Sequence, residues 1–230
     1  MLRSVEPEWL DTLEASDPRA QRSRRDLRLI NFIMGNAGSV ARALGNTLAD
    51  GASIADLGAG DGTFMLRVAR KIRPRLIRVQ LVLVDRAGAI GVETAARFRE
   101  LQWSVTPLAA DAIEWLQHAP AGFDVITANL FLHHFEPPAL LQLLSLVSAR
   151  TRVFIACEPR RSRFALAASR ALALTGCGPD TRHDAAVSVR AGFRGCELSQ
   201  AWPETQGWEM KERPAGFFGH LFIAWRREAV

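Results

Sequence analysis

The chain of 230 residues contains no tyrosine and only three cysteines. Cys157, Cys177 and Cys196 are odd in number and lack C-x-x-C spacing, which argues against a disulfide framework and a structural zinc site. They read as small core residues. No apolar run is long enough to cross a bilayer, and the best candidate, Phe164 to Leu174, is short and carries Arg170. It reads as a packed helix. Met1 to Pro7 lacks the apolar core of a secretory signal, so a cytoplasmic protein is expected. Internal repeats and low-complexity segments are absent as well. At this length the chain suits one sizeable α/β core. What it has in excess is arginine: the net charge is +5 with a sequence pI near 10.0. The arginines cluster at Arg19, Arg22, Arg24, Arg25 and Arg28, at Arg73, Arg75 and Arg78, and at Arg160, Arg161 and Arg163. Such a surface suits phosphate. Solvated helix faces and loops explain it more simply.

The most informative stretch is Ile54-Ala55-Asp56-Leu57-Gly58-Ala59-Gly60-Asp61-Gly62-Thr63-Phe64, an apolar strand running into a glycine turn and then a helix. Glycines two apart let the backbone turn tightly and let a ligand approach the peptide planes. Thr63 follows Gly62 where the dinucleotide fingerprint needs another spacing, and Asp56 and Asp61 would repel a pyrophosphate. A cationic ligand fits better. Val79 to Val84 reads as a buried parallel strand ending in Asp85, 23 positions after Gly62, where a carboxylate can accept both hydroxyls of a ribose. Val105 to Leu108, followed by Asp111-Ala112, is a third strand, and Phe123 to Asn129 is a fourth. A fifth, Val153 to Cys157, ends at Glu158-Pro159. Helices are expected near 62–71, 88–101, 111–118 and 137–149, the last opened by Pro137-Pro138. Ser162 to Leu174 and Arg182 to Ala191 read as further helices, and Gly216 to Trp225 as a late strand. Ahead of the core lie a short helix from Pro7 to Glu14, one opened by Asp17-Pro18, and an apolar stretch of Leu27, Leu29, Ile30, Phe32, Ile33 and Met34 ended by Gly35. So apolar a helix must be covered, or must cover something.

Together these strand ends resemble the class I S-adenosylmethionine-dependent methyltransferases over roughly residues 50 to 200. The resemblance implies a Rossmann-like α/β fold: a seven-stranded, mostly parallel sheet with helices on both faces and the last strand antiparallel. A hairpin between about 195–201 and the strand at 216–225 would supply that reversal. It also implies an N-terminal helical lid over residues 1–49, ahead of a methyltransferase core at 50–230, in one structural domain. S-adenosyl-L-methionine is the implied cofactor. Asp56, Gly58, Ala59 and Gly60 match the first motif, Asp85 the ribose-binding acid, Asp111 with the Ala112 backbone the adenine contact, and Asp124 to Asn129 the fourth motif. Ala59 stands where cysteine is commoner. Arg86 stands where an apolar residue usually packs on the adenine, and its plane could stack there instead.

The remaining strand ends, Asn129 to Phe135 and Glu158 to Arg163, should face the methyl acceptor. Enzymes that modify the exocyclic amines of bases tend to show Asn/Asp-Pro-Pro-Tyr/Phe at the first of these; this chain has Asn129-Leu130-Phe131-Leu132-His133-His134-Phe135. That argues against nucleic acid. A histidine, with an unperturbed pKa of about 6.5, can take a proton near neutrality, so His134 or His133 is the candidate base for an acidic hydroxyl. Hydrogen-bonded packing is the competing account of both. No metal site is expected, because His133, His134 and Glu136 cannot converge from one turn without further partners. Arg160, Arg161 and Arg163 offer either an anion fork or solvated loop charge. Trp103, Trp115, Trp202 and Trp208 could line a pocket or fill the core. The segment Asp26 to Asn36 is similar to bacterial methyltransferases of secondary metabolism. The expected reaction is therefore O-methylation of a small, largely apolar, phenolic or polyketide-like acceptor. An RNA or DNA methyltransferase using the arginines of 19–28, C- or N-methylation, and a non-catalytic interaction module are the alternatives. Nothing in the sequence sets the oligomeric state.

Overall fold

A computed structural model describes residues 1–13, 17–45, 47–72, 78–88, 90–172, 176–203 and 206–227. Arg73, Arg75, Glu14 and Leu174 lie outside the described residues, as do the side chains of Arg24, Leu27, Arg28, Leu29, Phe32 and Ile33. In chain order the elements begin with α1 (Trp9–Thr12), α2 (Pro18–Met34), α3 (Asn36–Leu44), β1 (Ser53–Leu57), α4 (Thr63–Ile72), β2 (Gln80–Asp85), α5 (Val92–Glu100) and β3 (Ser104–Ala109). They continue through α6 (Ala112–His118), β4 (Phe123–Asn129), a 3-10 turn at Leu132–His134, α7 (Pro137–Ser148) and β5 (Thr151–Pro159). The last are α8 (Arg163–Ala171), α9 (Pro179–Ala191), α10 (Glu197–Ala201), β6 (Trp208–Ala215) and β7 (Gly219–Arg226).

Seven strands form one sheet in the order β3-β2-β1-β4-β5-β7-β6. Strands β1 to β5 pair in parallel, and β7 runs antiparallel to both β5 and β6. The expected Rossmann-like sheet with its reversed last strand is therefore present. Apolar residues alternate between the two faces of the central strands, as a sheet covered on both sides requires. Ile54 of β1 joins Val40, Leu44, Met65, Val68 and Phe98 on one face. Ala55 and Leu57 join Leu116, Leu143, Phe154 and Phe222 on the other.

The expected hairpin partner at 195–201 is not a strand: α10 occupies it, and β6 at 208–215 pairs with β7 instead. Trp103, Trp202 and Trp208 are buried in the core, and Trp115 packs its ring on Phe123. Cys157 and Cys177 are buried, whereas Cys196 is exposed. The N-terminal helices do not form one uniform layer. Helix α3 belongs to the core, with Val40 and Leu44 packed among β1 and α4 residues. Further upstream the chain is fastened to α9. Asp184 accepts from the N–H groups of Trp9 and Leu10, and Trp9 stacks on His183 at 3.8 Å. Asp26 accepts from Gly178 N and Thr181 Oγ1.

Candidate active site

The glycine turn closes directly on β2. The N–H groups of Gly58 and Ala59 both donate to Val84 O, at 2.9 and 3.1 Å. Gly58 has φ 68°, and a Cβ there would lie 2.3 Å from the Phe131 ring. No other residue type fits. Gly60 faces open space, with nothing within 4 Å of a Cβ built on it. Its N–H donates to Asp85 Oδ2 at 2.9 Å, and Ala87 N donates to Oδ1 of the same carboxylate at 2.9 Å. Each Asp85 oxygen thus has one backbone donor and a remaining lone pair for a ribose hydroxyl.

Beyond Asp85, Arg86 reaches across to the end of β3 and forks onto Asp111 Oδ2, at 2.7 Å from Nη2 and 3.2 Å from Nε. Asp111 Oδ1 caps α6 by accepting from Ile113 N and Glu114 N. The guanidinium, before the backbone donors, holds the Asp111 carboxyl below its usual range. Arg86 thus has an in-plane partner in Asp111, which leaves the faces of its guanidinium open. Ala112 follows, buried under the first turn of α6.

Asp56 is only 2 % exposed, on β1, and accepts from Thr127 Oγ1 of β4 at 2.6 Å. Burial, reinforced by the charge of Asp85, pushes its pKa up to about 7 despite that bond. Asn129, at the end of β4, accepts through Oδ1 from Asn36 Nδ2 at 2.9 Å. Asn36 is fully buried, and its own Oδ1 has no hydrogen-bond donor among the described residues. Asn36 was not legible as a site residue; the Gly35-Asn36 break after an apolar helix is the one signal it leaves. The open Gly60 cradle, the two positive-φ turns beside it and the acidic surroundings fit S-adenosylmethionine, a cation carrying a ribose.

On the other side of β4 the chain is organised by Glu158, which is 0 % exposed. Its Oε1 accepts from Phe131 N and Leu132 N at 3.0 and 2.9 Å, and its Oε2 from His133 N at 3.3 Å and His133 Nδ1 at 2.8 Å. His133 is buried, with Nε2 3.5 Å from Glu8 Oε1. Against the effect of burial, the Glu158 and Glu8 carboxylates push its pKa up to about 9, so it carries a proton at neutrality. His134 is exposed and lies against the His133 ring at 4.2 Å. The N-terminal segment is strapped over this loop: Arg3 donates to His133 O, Phe135 O and Ala191 O.

Arg161 is neither an anion fork nor solvated charge. It is buried, paired with Glu197, and donates to Gly192 O and Met1 O. Arg163 is exposed, as are Arg19, Arg22 and Arg25, and Arg78 pairs with Asp50 at the surface.

Residues 54–152 match the sequence family described as a methyltransferase domain. No curated protein matches the chain by sequence. Among solved structures, the plantazolicin methyltransferase BpumL, in complex with a pentazolic desmethylPZN analog and SAH, is similar with a TM-score of 0.62 at 14% identity, covering 92% of this chain and 93% of that one. A putative O-methyltransferase from Nostoc punctiforme gives 0.60 at 16% identity, over 98% of this chain and 64% of the other. The pyocyanin biosynthetic protein PhzM gives 0.58 at 19% identity, over 96% and 62%. These matches give residues 54–152 the sequence signature of a methyltransferase domain, and the solved structures share the fold of the seven-stranded sheet.

Proposed function

We propose that the protein methylates the oxygen of a small, largely apolar, hydroxylated acceptor of phenolic or polyketide-like type. The observation that carries this reading is the loop after β4. Glu158 fixes three successive backbone N–H groups of residues 131–133, and the loop presents Phe131, Phe135 and His134 where base-modifying enzymes carry a proline-rich motif. Phe131 and Phe135 meet edge to face at 5.0 Å, an apolar wall suited to a ring. The similarity to a putative O-methyltransferase from Nostoc punctiforme supports the same choice of atom.

When bound, S-adenosylmethionine supplies an electrophilic methyl group on a sulfonium. Asp85 and Gly60 hold the ribose, the Arg86–Asp111 pair borders the adenine, and Asp56 places carboxyl character beneath the glycine turn. On the acceptor side the chain must orient a hydroxyl and take its proton. Positioning supplies much of the rate, since effective molarities of roughly 10⁵ M or more are available to aligned reactants. Asn36 Oδ1, a buried oxygen without a donor among the described residues, is assigned to the acceptor's polar end. His133 is already protonated at neutrality, so His134 is assigned as the proton acceptor. Helix α2, which ends at Met34 just before Asn36 opens α3, is assigned as the cover of the acceptor site.

The test offers labelled cofactor in parallel to total RNA and to a panel of phenolic lipids. Label in an ether methyl of a small molecule sustains the reading. Label in RNA, with the steep salt dependence of phosphate binding, replaces it with the nucleic-acid alternative.

A further inference from the structure

Glu8, His133 and His134 come from two segments more than a hundred residues apart, yet each offers a ligand atom, and these atoms all lie within 4.8 Å of one another. We propose that these three side chains form a binding site for a divalent cation of the zinc class, with one coordination position left for solvent or ligand. The proposal goes beyond methyl transfer and does not depend on the identity of the acceptor.

The geometry separates a metal site from a simple ion pair. His133 Nε2 and Glu8 Oε1 are 3.5 Å apart, long for a charge-assisted hydrogen bond. Two ligands on a tetrahedral ion with bonds of about 2.0–2.2 Å are separated by about 3.4 Å. The pair therefore already has the spacing of one edge of a coordination tetrahedron. His134 offers the third ligand atom, within 4.8 Å of the other two.

The outer partners are those of a metal centre as well. A ligating histidine commonly gives its second ring nitrogen to a carboxylate, which fixes tautomer and orientation. His133 Nδ1 is bound to Glu158 at 2.8 Å, and Glu158 is itself immobilised by three backbone N–H groups. That leaves Nε2 turned toward Glu8, and an ion that binds there displaces the Nε2 proton to solvent. Glu8 accepts from Ser188 Oγ of α9. Both buried candidate ligands thus have a fixed orientation before any ion arrives. Two imidazoles and one carboxylate suit zinc and its borderline neighbours, and they do not suit magnesium or calcium, which take oxygen ligands.

An ion here holds the lone pair through which His134 takes a proton. The metal-loaded and base-competent forms are then mutually exclusive, and metal-free protein is the form for the methyl-transfer assay.

The experiment is titration of metal-free, full-length protein with cobalt(II), followed by visible absorption, with bound zinc measured after gel filtration. One equivalent of cobalt should bind and give the intense visible bands of a four-coordinate ion. His134→Ala should lose those bands and weaken binding at least tenfold, while His118→Ala, an exposed histidine elsewhere, should behave as wild type. Because Glu8 is buried, Glu8→Gln is accompanied by circular dichroism, and His134→Ala decides if Glu8→Gln is misfolded. Failure of wild type to retain either metal overturns the proposal, as does unchanged binding in His134→Ala. Methylation by the metal-free enzyme is scored separately, so the loss of one reading leaves the other intact.

Discussion

Gly60 and Asp85 are joined across 25 residues by an N–H···O bond of 2.9 Å. The bond ties the tip of the glycine turn to the end of the neighbouring strand, so the carboxylate that would hold a ribose also shapes the loop beside it. Asp85→Ala removes both. Charge-assisted hydrogen bonds contribute about 1.5–3 kcal/mol, so affinity for S-adenosylhomocysteine should fall at least about tenfold by titration calorimetry. Unchanged affinity would sink the ribose assignment.

Asp56 should make stability fall as pH rises. Its folded pKa, raised to about 7, lies above the unfolded value of about 3.9, so the folded state holds the extra proton between them. Stability from this group is full below about pH 4 and is lost through pH 7, at up to about 1.4 kcal/mol per pH unit. Asp56→Asn keeps an acceptor for Thr127 Oγ1 and removes the titration. Its melting temperature should change less between pH 5 and pH 8 than that of wild type. An equal change in both proteins would count against the shift.

Glu158→Ala strips a buried acceptor from Phe131 N, Leu132 N and His133 N at once. Each buried N–H left without a partner costs about 1–3 kcal/mol. In a domain of this size about 1 kcal/mol shifts the melting temperature by roughly 2–4 °C, so a drop of about 6 °C or more is expected by calorimetry. Glu158→Gln keeps one oxygen and should lie between. A wild-type melt for Glu158→Ala would show that the loop does not depend on it.

Asn36→Ala should separate acceptor from cofactor. The variant loses the bond to Asn129 and the buried Oδ1, so kcat/KM for the acceptor should fall tenfold or more while S-adenosylhomocysteine binds as before. Leucine at the same position should not restore it. An effect on the cofactor alone would move Asn36 to the other side of β4.

The ends of β1, β2, β3 and β4 were legible because glycine, aspartate and, at β4, Asn129 interrupt apolar runs where the chain must turn and meet a polar ligand. β6 was not. Its Glu209-Met210-Lys211-Glu212-Arg213 run is built of residues that favour helices, and only pairing with β7 makes it a strand. Arg161 misled for a related reason. An arginine beside others reads as surface charge, and its burial follows from Glu197 and the Met1 carbonyl, neither near it in sequence. Glu8 with His133 and Asn36 with Asn129 were hidden in the same way. Local pattern carries no information about partners that the folded sheet brings together.

The sheet order leaves β3 and β6 as its two outer strands, and each contains a proline, Pro107 and Pro214. Proline has no N–H, so each rim lacks one of the donors that an incoming strand would use. On β6, Glu209, Lys211 and Arg213 add charge to the same rim. The molecule is thereby protected at both margins against growth by strand addition, the route by which open sheets aggregate. A self-associated form of this protein should therefore be built through helices or loops, with the seven strands of each copy remaining a separate sheet.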